Sequence, residues 1–373
     1  MNDQSIGKKT AHRTLRWGAF LLGLLTLCAA LADFLSPYDP AEQHRELYFA
    51  PPARIRFPNA ESSWRPFVYA LRLEDLERMR YVEDDAHRYP LRFFVRGAPY
   101  RLFGFIPSST HLFGVAEPAR IFVLGSDGLG RDVFSRIVHG ARLSLTIAGV
   151  ALLISIPLAM LVGSLSGFYG GRVDFVCMRL MELFLALPAL YLIIALRSAL
   201  PLGLAPEKIF LAMAPVIALF GWASLARIVR GATLGLRERE FVLAAVALGA
   251  SDARVIFRHL LPNLSGLILT QAALAAPGYI LAEVTLSYLG LGTPEPLPSW
   301  GGMLASVGGV GRLGTFWWNL APGAAIFLTS LAFYLLAEGL REWSDPRSQT
   351  PQTPQTPQTP QTPQTMDTAR QLW

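Results

Sequence analysis

Six stretches of the chain stay apolar for about 20 residues, the length at which a helix crosses a hydrocarbon layer. They lie near 17–36, 143–166, 175–198, 209–226, 264–289 and 319–340. The charges crowd instead into 37–142, 227–258 and the two ends. This spacing predicts an all-α membrane protein with six transmembrane helices. The first stretch has a second reading. Lys8, Lys9, Arg13 and Arg16 precede a short apolar run ending Ala30-Leu31-Ala32, as in a cleavable signal peptide. Under either reading, the segment beyond this stretch starts outside the cytoplasm.

With the N-terminus inside, 167–174, 227–263 and the C-terminal tail are cytoplasmic, and 37–142, 199–208 and 290–318 are outside. The short loops agree with an excess of basic residues on the inner side. Arg227, Arg230, Arg237, Arg239, Arg254 and Arg258 fall in 227–263, against Arg312 alone in 290–318. The segment between the first two spans is too long for a linker. Its stretch 91–105 reads as two short strands around Gly97-Ala98-Pro99, and a small extracytoplasmic insert is expected there. The QTP repeat at 349–365 places proline every third residue with nothing apolar to bury, which predicts a disordered cytoplasmic tail.

Composition sharpens the picture. Of 373 residues, 52% are hydrophobic and 16% charged, where a soluble domain carries roughly a quarter charged. The net charge of +6 sits beside the spans and forms no continuous stripe, so a nucleic-acid partner is not expected. Cys28 and Cys177 belong to no CxxC or Cys/His cluster, and neither a metal site nor another cofactor is indicated. Pro157, Pro188 and Pro215 fall inside spans, where proline is common. Arg179 and Glu182 share a helix face and read as a structural pair near the inner mouth. Glu283 is a candidate for the translocation path, or for a helix–helix contact. So few ionisable groups within six spans argue against a proton relay.

The most informative segment is the inner loop 237–263, REREFVLAAVALGASDARVIFRHLLPN. Glu238 to Leu248 suits a helix with Phe241, Ala245 and Leu248 on one face. Gly249 supplies a stop, because it takes the left-handed conformation without steric cost. Ser251 or Asp252 caps a second helix carrying Val255, Ile256 and Leu260, which Pro262 is expected to end. Phe241, Val242, Leu243, Val255, Ile256 and Phe257 are apolar side chains in a loop facing water, as a docking surface requires.

This loop resembles the EAA loop of binding-protein-dependent ABC importer permeases. Ala244, Ala245, Gly249, Leu261 and Pro262 match that pattern, while Leu243 stands where the family has Glu. GSDGLGRDVFSRIVHGARLSL at 125–145, GFYGGRVD at 167–174, LSYLGLGTPEPLPSWGGML at 286–304, EGLREWSDPR at 338–347 and SPYDP at 36–40 are similar to the C-type permease of the dipeptide/oligopeptide/nickel branch. The resemblance covers 17–40 and 121–347. It implies a type I importer permease fold in the bacterial inner membrane, with both termini cytoplasmic. The parts are an N-terminal segment and first helix (1–40), an insert (41–124), a five-helix core (125–347) and a tail (348–373).

It further implies that Phe241, Ala244, Ala245, Gly249, Ala250, Ser251, Asp252, Leu261 and Pro262 form the ATPase-coupling loop. The implied partners are a second related permease as heterodimer, two ATP-binding subunits, an extracytoplasmic solute-binding protein and a peptide substrate. Nickel or another small solute is the alternative cargo. The chain has no ATPase site of its own to expect: its lysines, Lys8, Lys9 and Lys208, lie in no P-loop context. An ATPase-independent carrier is the reading from a different class, and such a carrier needs no apolar inner docking surface.

Overall fold

A computed structural model describes residues 3–57, 65–75, 79–199, 201, 203–307 and 314–344. The QTP repeat and Arg312 lie outside the described residues. The chain is mostly helical. Its elements are α1 (Asp3–Ala30), α2 (Ala32–Leu35), four strands β1 (Phe67–Asp75), β2 (Arg80–Pro90), β3 (Arg92–Leu102) and β4 (Ile106–Gly114), then α3 (Val133–Tyr169), α4 (Gly171–Ala186), α5 (Ala189–Ala199) and α6 (Pro206–Arg237). Beyond these come α7 (Glu240–Ala247), α8 (Asp252–Arg254), a π-helical turn Val255–Leu260, α9 (Leu261–Tyr288), α10 (Trp300–Ser306), a 3-10 turn Trp317–Leu320 and α11 (Ala321–Ser344).

Among the described residues, four helical runs are long and apolar enough to cross a membrane: Val133–Tyr169, Pro206–Arg237, Asp252–Tyr288 and Trp317–Ser344. A fifth span results if Gly171–Ala186 and Tyr191–Ala199 are one crossing, bent by 84°. Pro188 sits at that bend, where its missing N–H breaks the hydrogen-bond ladder. The first expected span is helical, formed by α1 and α2, and α1 packs along α11.

The bundle closes around α3 and α6, which cross most intimately. Gly163 and Gly167 make this crossing possible. A Cβ on Gly163 would stand 2.5 Å from the Ala226 carbonyl oxygen, and one on Gly167 2.7 Å from that of Arg230. Small residues four apart let two membrane helices touch backbone to backbone. Ile147, Ala148 and Ala151 of α3 meet Ala214, Ile217 and Ala218 of α6 and Ala276 and Ile280 of α9 in the largest apolar core.

The strands form two separate antiparallel hairpins, β1–β2 and β3–β4. The strand reading of 91–105 is corrected in its turn. Gly97-Ala98-Pro99 lies within β3 as a register shift between Arg96 and Tyr100, and the chain reverses at Phe103–Phe105 instead. The bulge satisfies Gly-Ala-Pro without a reversal, because a bulged residue needs no ladder partner.

Candidate functional site

The loop between α6 and α9 has the two-helix form its sequence predicts, with shifted boundaries. α6 continues to Arg237, and α7 starts only at Glu240. Gly249 takes a φ of 79°, the left-handed stop. The Ser251 hydroxyl then accepts from the Arg254 N–H at 3.4 Å as the cap of the next helix. Pro262 does not end that helix. The run continues from Asp252 to Tyr288, through the π turn and into the membrane. In the π turn the Leu261 N–H reaches the Ile256 carbonyl, five residues back. Pro262 then enters at the start of α9, a position where the missing N–H costs least. The segment from Asp252 to Leu260 and α9 therefore form one continuous helical run.

The loop's apolar residues divide between two surfaces. Val242, Val255, Ile256, Leu260 and Leu261 are buried in a cluster with Met160, Leu165 and Phe168 of α3, Leu236 of α6 and Ala250. Ala245 is also buried, on the same side of α7 as Val242. Phe241, Leu243 and Val246 face outward, with Phe257 65% and Leu248 88% exposed. Ala244, Gly249, Ser251, Asp252 and Pro262 are exposed as well. Phe241, Ala245 and Leu248 thus do not share one environment: Ala245 faces inward and the other two face water. A pocket of about 280 Å³ lies between α3 and the π turn, lined by Pro157, Leu161, Ile256 and Phe257 among others.

Polar ties fix the ends of the helices around this seat. The Arg230 guanidinium donates Nε to Asp174 Oδ1 at 2.5 Å and Nη2 to Oδ2 at 2.6 Å, a bidentate fork. Ser166 Oγ donates to the same carboxylate, and Arg237 Nη1 reaches the Gly167 carbonyl at 3.3 Å. The Tyr169 hydroxyl bonds the Asp252 carboxylate, joining the last turn of α3 to the start of α8. Arg179 and Glu182 pair at 2.6 Å on the surface.

Glu283 is 2% exposed and lies inside helix contacts. Ser287 Oγ donates to its Oε1 at 2.6 Å, and Ser144 Oγ of α3 donates to Oε2 at 3.3 Å. Of its two sequence-based roles, the helix–helix contact describes its position within this chain.

At the other end of α3, buried arginines and aspartates joined to the half-exposed Glu295 form a charge network that was not singled out in the sequence, although its residues lie in the strings 125–145 and 286–304. Arg131 Nε donates to Asp127 Oδ2 at 2.8 Å, and Arg131 Nη1 donates to Glu295 Oε2 at 2.8 Å. Arg136, 1% exposed, donates Nη2 to Glu295 Oε1 at 3.1 Å and Nη1 to the Pro40 carbonyl at 3.1 Å. Asp132 caps α3 by accepting from the Ser135 N–H, and burial pushes its carboxyl up to about 6 against those hydrogen bonds. The network joins 36–50, the start of α3 and the segment after α9.

Several lipid-compatible helices around an apolar core, with a two-faced loop at one end, define a multi-pass membrane permease component. Comparison with known proteins agrees. The family described as "Binding-protein-dependent transport system inner membrane component" matches residues 155–350. "N-terminal TM domain of oligopeptide transport permease C" matches residues 10–52. The chain is 40% identical over 242 residues to the oligopeptide transport system permease protein OppC of Bacillus subtilis, covering 64% of this chain and 77% of that protein. It is 32% identical over 331 residues to the di/tripeptide transport system permease protein DppC of Pseudomonas aeruginosa, covering 88% and 87%. This chain belongs to the family of inner-membrane components of binding-protein-dependent transport systems, and is a multi-pass inner-membrane permease subunit of an ABC importer.

Proposed function

We propose that this chain forms one half of the translocation path of an ATP-driven importer for di- or oligopeptides. The relatives named as peptide permeases support the cargo, and the loop 237–263 supports the energy source. The single observation that carries the coupling is the division of the loop's apolar residues. One set is seated on α3 and α6, and the other is left on the water-facing side with nothing among the described residues covering it. A cleft on an ATP-binding subunit receives the outer set, Phe241, Leu243, Val246, Leu248 and Phe257. Closure of two such subunits on ATP moves the loop, and α9 moves with it because the helix is continuous.

The full complex in this reading holds a second related permease, two ATP-binding subunits and an extracytoplasmic solute-binding protein. The span count becomes six when α1 and the bent pair α4–α5 each cross once. Both termini are then cytoplasmic and both hairpins extracytoplasmic. Ala244 and Gly249, small and exposed, let α7 approach the ATPase closely, while Ala245 and Ala250 hold the other side of the loop on its seat. Ser251 and Asp252 set the angle of the next helix, and Leu261 and Pro262 pass the motion into α9. Glu283 holds α3 to α9, and it meets the cargo only in a state where those helices part.

The test is reconstitution. The chain, its partner permease and the ATP-binding subunits are placed in proteoliposomes with the binding protein, and uptake of a labelled peptide is followed with and without ATP. ATP-dependent peptide uptake is expected. ATP-dependent uptake of nickel but not peptide would replace the cargo, and uptake without ATP or its subunits would overturn the coupling.

A further inference from the structure

A cleft of about 670 Å³ opens between the first turns of α9 and the last turn of α11. Asn263, Ser265 and Gln271 line it from α9, and Arg341 and Trp343 from α11. Leu264 and Ile268 turn the other side of α9 toward Val229 of α6. Asn263 and Gly266 therefore point off that core, to the side where α11 and α1 lie. Polar side chains at a membrane span need a polar occupant, so the level of the cleft decides what it holds.

Close approaches between the helices fix that level. A Cβ on Gly18 of α1 would stand 2.4 Å from the Leu336 backbone nitrogen, and one on Gly339 2.5 Å from Leu15 Cα. α1 and α11 thus run antiparallel in register, with Arg13 near the level of Arg341 and Arg16 near that of Glu338. Both lose their charges at the same level. α1 carries none from Trp17 onward, and the chain carries none from Gly314 to Ala337. This shared edge is where hydrocarbon begins. A Cβ on Gly266 would stand 2.3 Å from Ser344 Oγ, which brings α9 into the same frame. α9 and α11 are antiparallel, since Glu283 and the turn before α11 both lie toward the start of α3, at Ser144 and Ser126. Ser344 and Gly266 lie about 9 Å beyond the edge, and Gln271 returns about 7.5 Å toward it. The cleft therefore covers the polar layer between hydrocarbon and water, which is roughly 5–8 Å deep.

We propose that this cleft seats the headgroup of an anionic phospholipid, from the leaflet on the side of the loop 237–263. The charges suit an anion. Arg13, Arg16 and Arg341 are exposed and outnumber Glu338 and Glu342, and Lys8 and Lys9 precede them in the sequence. Basic pockets between spanning helices take such headgroups. Arg341 Nη1 stands 3.7 Å from Glu338 Oε2, beyond hydrogen-bond reach, so its donors are left for a phosphate. Asn263 spends one amide N–H on the His259 carbonyl at 2.6 Å and has a second to give. Trp17 at the edge and Trp343 within the layer are both exposed, as interfacial tryptophans are. The proposal needs only a chain that spans a bilayer and is independent of the cargo.

The test is cross-linking in the assembled complex, held in nanodiscs of equal parts phosphatidylglycerol and phosphatidylcholine. Ser265→Cys in a Cys28→Ser/Cys177→Ser background carries a benzophenone, and mass spectrometry counts the lipids joined to this chain at that position. Phosphatidylglycerol should exceed phosphatidylcholine by at least about fivefold, the preference one basic side chain gives near a membrane surface. Arg341→Gln, at an exposed position, should keep the wild-type unfolding temperature and remove most of the excess. Equal cross-linking of the two lipids in the chain with Arg341 intact would overturn the proposal. So would an excess that survives Arg341→Gln, which would be attraction to the basic end of α1 without a seat. Cross-links to protein in place of lipid would show a protein surface over the cleft and equally refute it. Loss of the excess on adding inorganic phosphate at constant ionic strength would mark a free-anion site and overturn the lipid assignment.

Discussion

At the end of α3 nearest the hairpins, Arg131 and Arg136 are buried against Asp127 and Glu295. At the opposite end, the loop 237–263 rests on Met160, Leu165 and Phe168 through apolar contacts. The first arrangement is directional. A guanidinium fork accepts one geometry, and moving it strands the buried charges of Asp127, Arg131 and Arg136. The second is largely non-directional, because apolar contact survives small slides and rotations, with the Tyr169–Asp252 and Arg237–Gly167 hydrogen bonds as its directional ties. The two kinds of contact differ in how much displacement they tolerate. The end tied by ions is an anchor, and the end seated on hydrocarbon is a joint. Asp174 and Arg230 mark the edge of the joint, keeping α4 and α6 together while the loop beyond them stays free of such forks.

The strongest way to break the comparison is to remove one arm of the anchor. Arg136→Ala takes a buried guanidinium from beside Asp127, which keeps Arg131, and from the half-exposed Glu295, and is expected to cost about 1.5–3 kcal/mol. Thermal unfolding in detergent should show it, and hydrogen exchange should rise first in 36–50 and the start of α3. Exchange rising first at 237–263 would contradict the division.

Asp132 sharpens the same end. Its folded carboxyl titrates near 6, above the usual carboxylate range, so the folded state keeps a proton that the unfolded chain loses sooner. Its contribution is fully present below about pH 4 and is lost as pH rises through about 6, amounting to roughly 2–3 kcal/mol. Stability measured from pH 4 to 8 should fall across that window, and Asp132→Asn, which retains a capping oxygen, should flatten the fall.

At the joint, Val242→Ser removes buried contact from the seat. The expected loss is about 1–2 kcal/mol, seen as faster exchange in α7 with the anchor unchanged. Leu248→Ser is the smallest of the series. An exposed side chain should change folding stability by no more than about 0.5 kcal/mol, and its effect should appear only when the ATP-binding subunits are present.

The sequence showed four of its six expected spans as long apolar helices, because 20 apolar residues leave few alternatives. It showed the joint because Gly249 and Ser251 are local signals that act on their own neighbours. What it hid depends on distance. Glu295 meets Arg131 and Arg136 from the far side of α9, and no spacing rule links such positions. Gly163 and Gly167 mark a close crossing only once α6 is known to lie against them. Pro262 misled for a different reason. Proline stops a regular α-helix, and the π turn before it changes the register, so that α9 begins where proline is tolerated. Gly97-Ala98-Pro99 misled likewise, since a bulge and a turn use the same residues.

The central claim is that the water-facing half of the loop docks the ATP-binding subunits while the buried half only seats it. Co-purification tests this most directly, using the chain with its partner permease and ATP-binding subunits, wild type against Phe241→Asp/Leu248→Asp. The double variant is expected to accumulate in the membrane, unfold at the wild-type temperature and lose the ATP-binding subunits. Retention of those subunits at wild-type stoichiometry would contradict it.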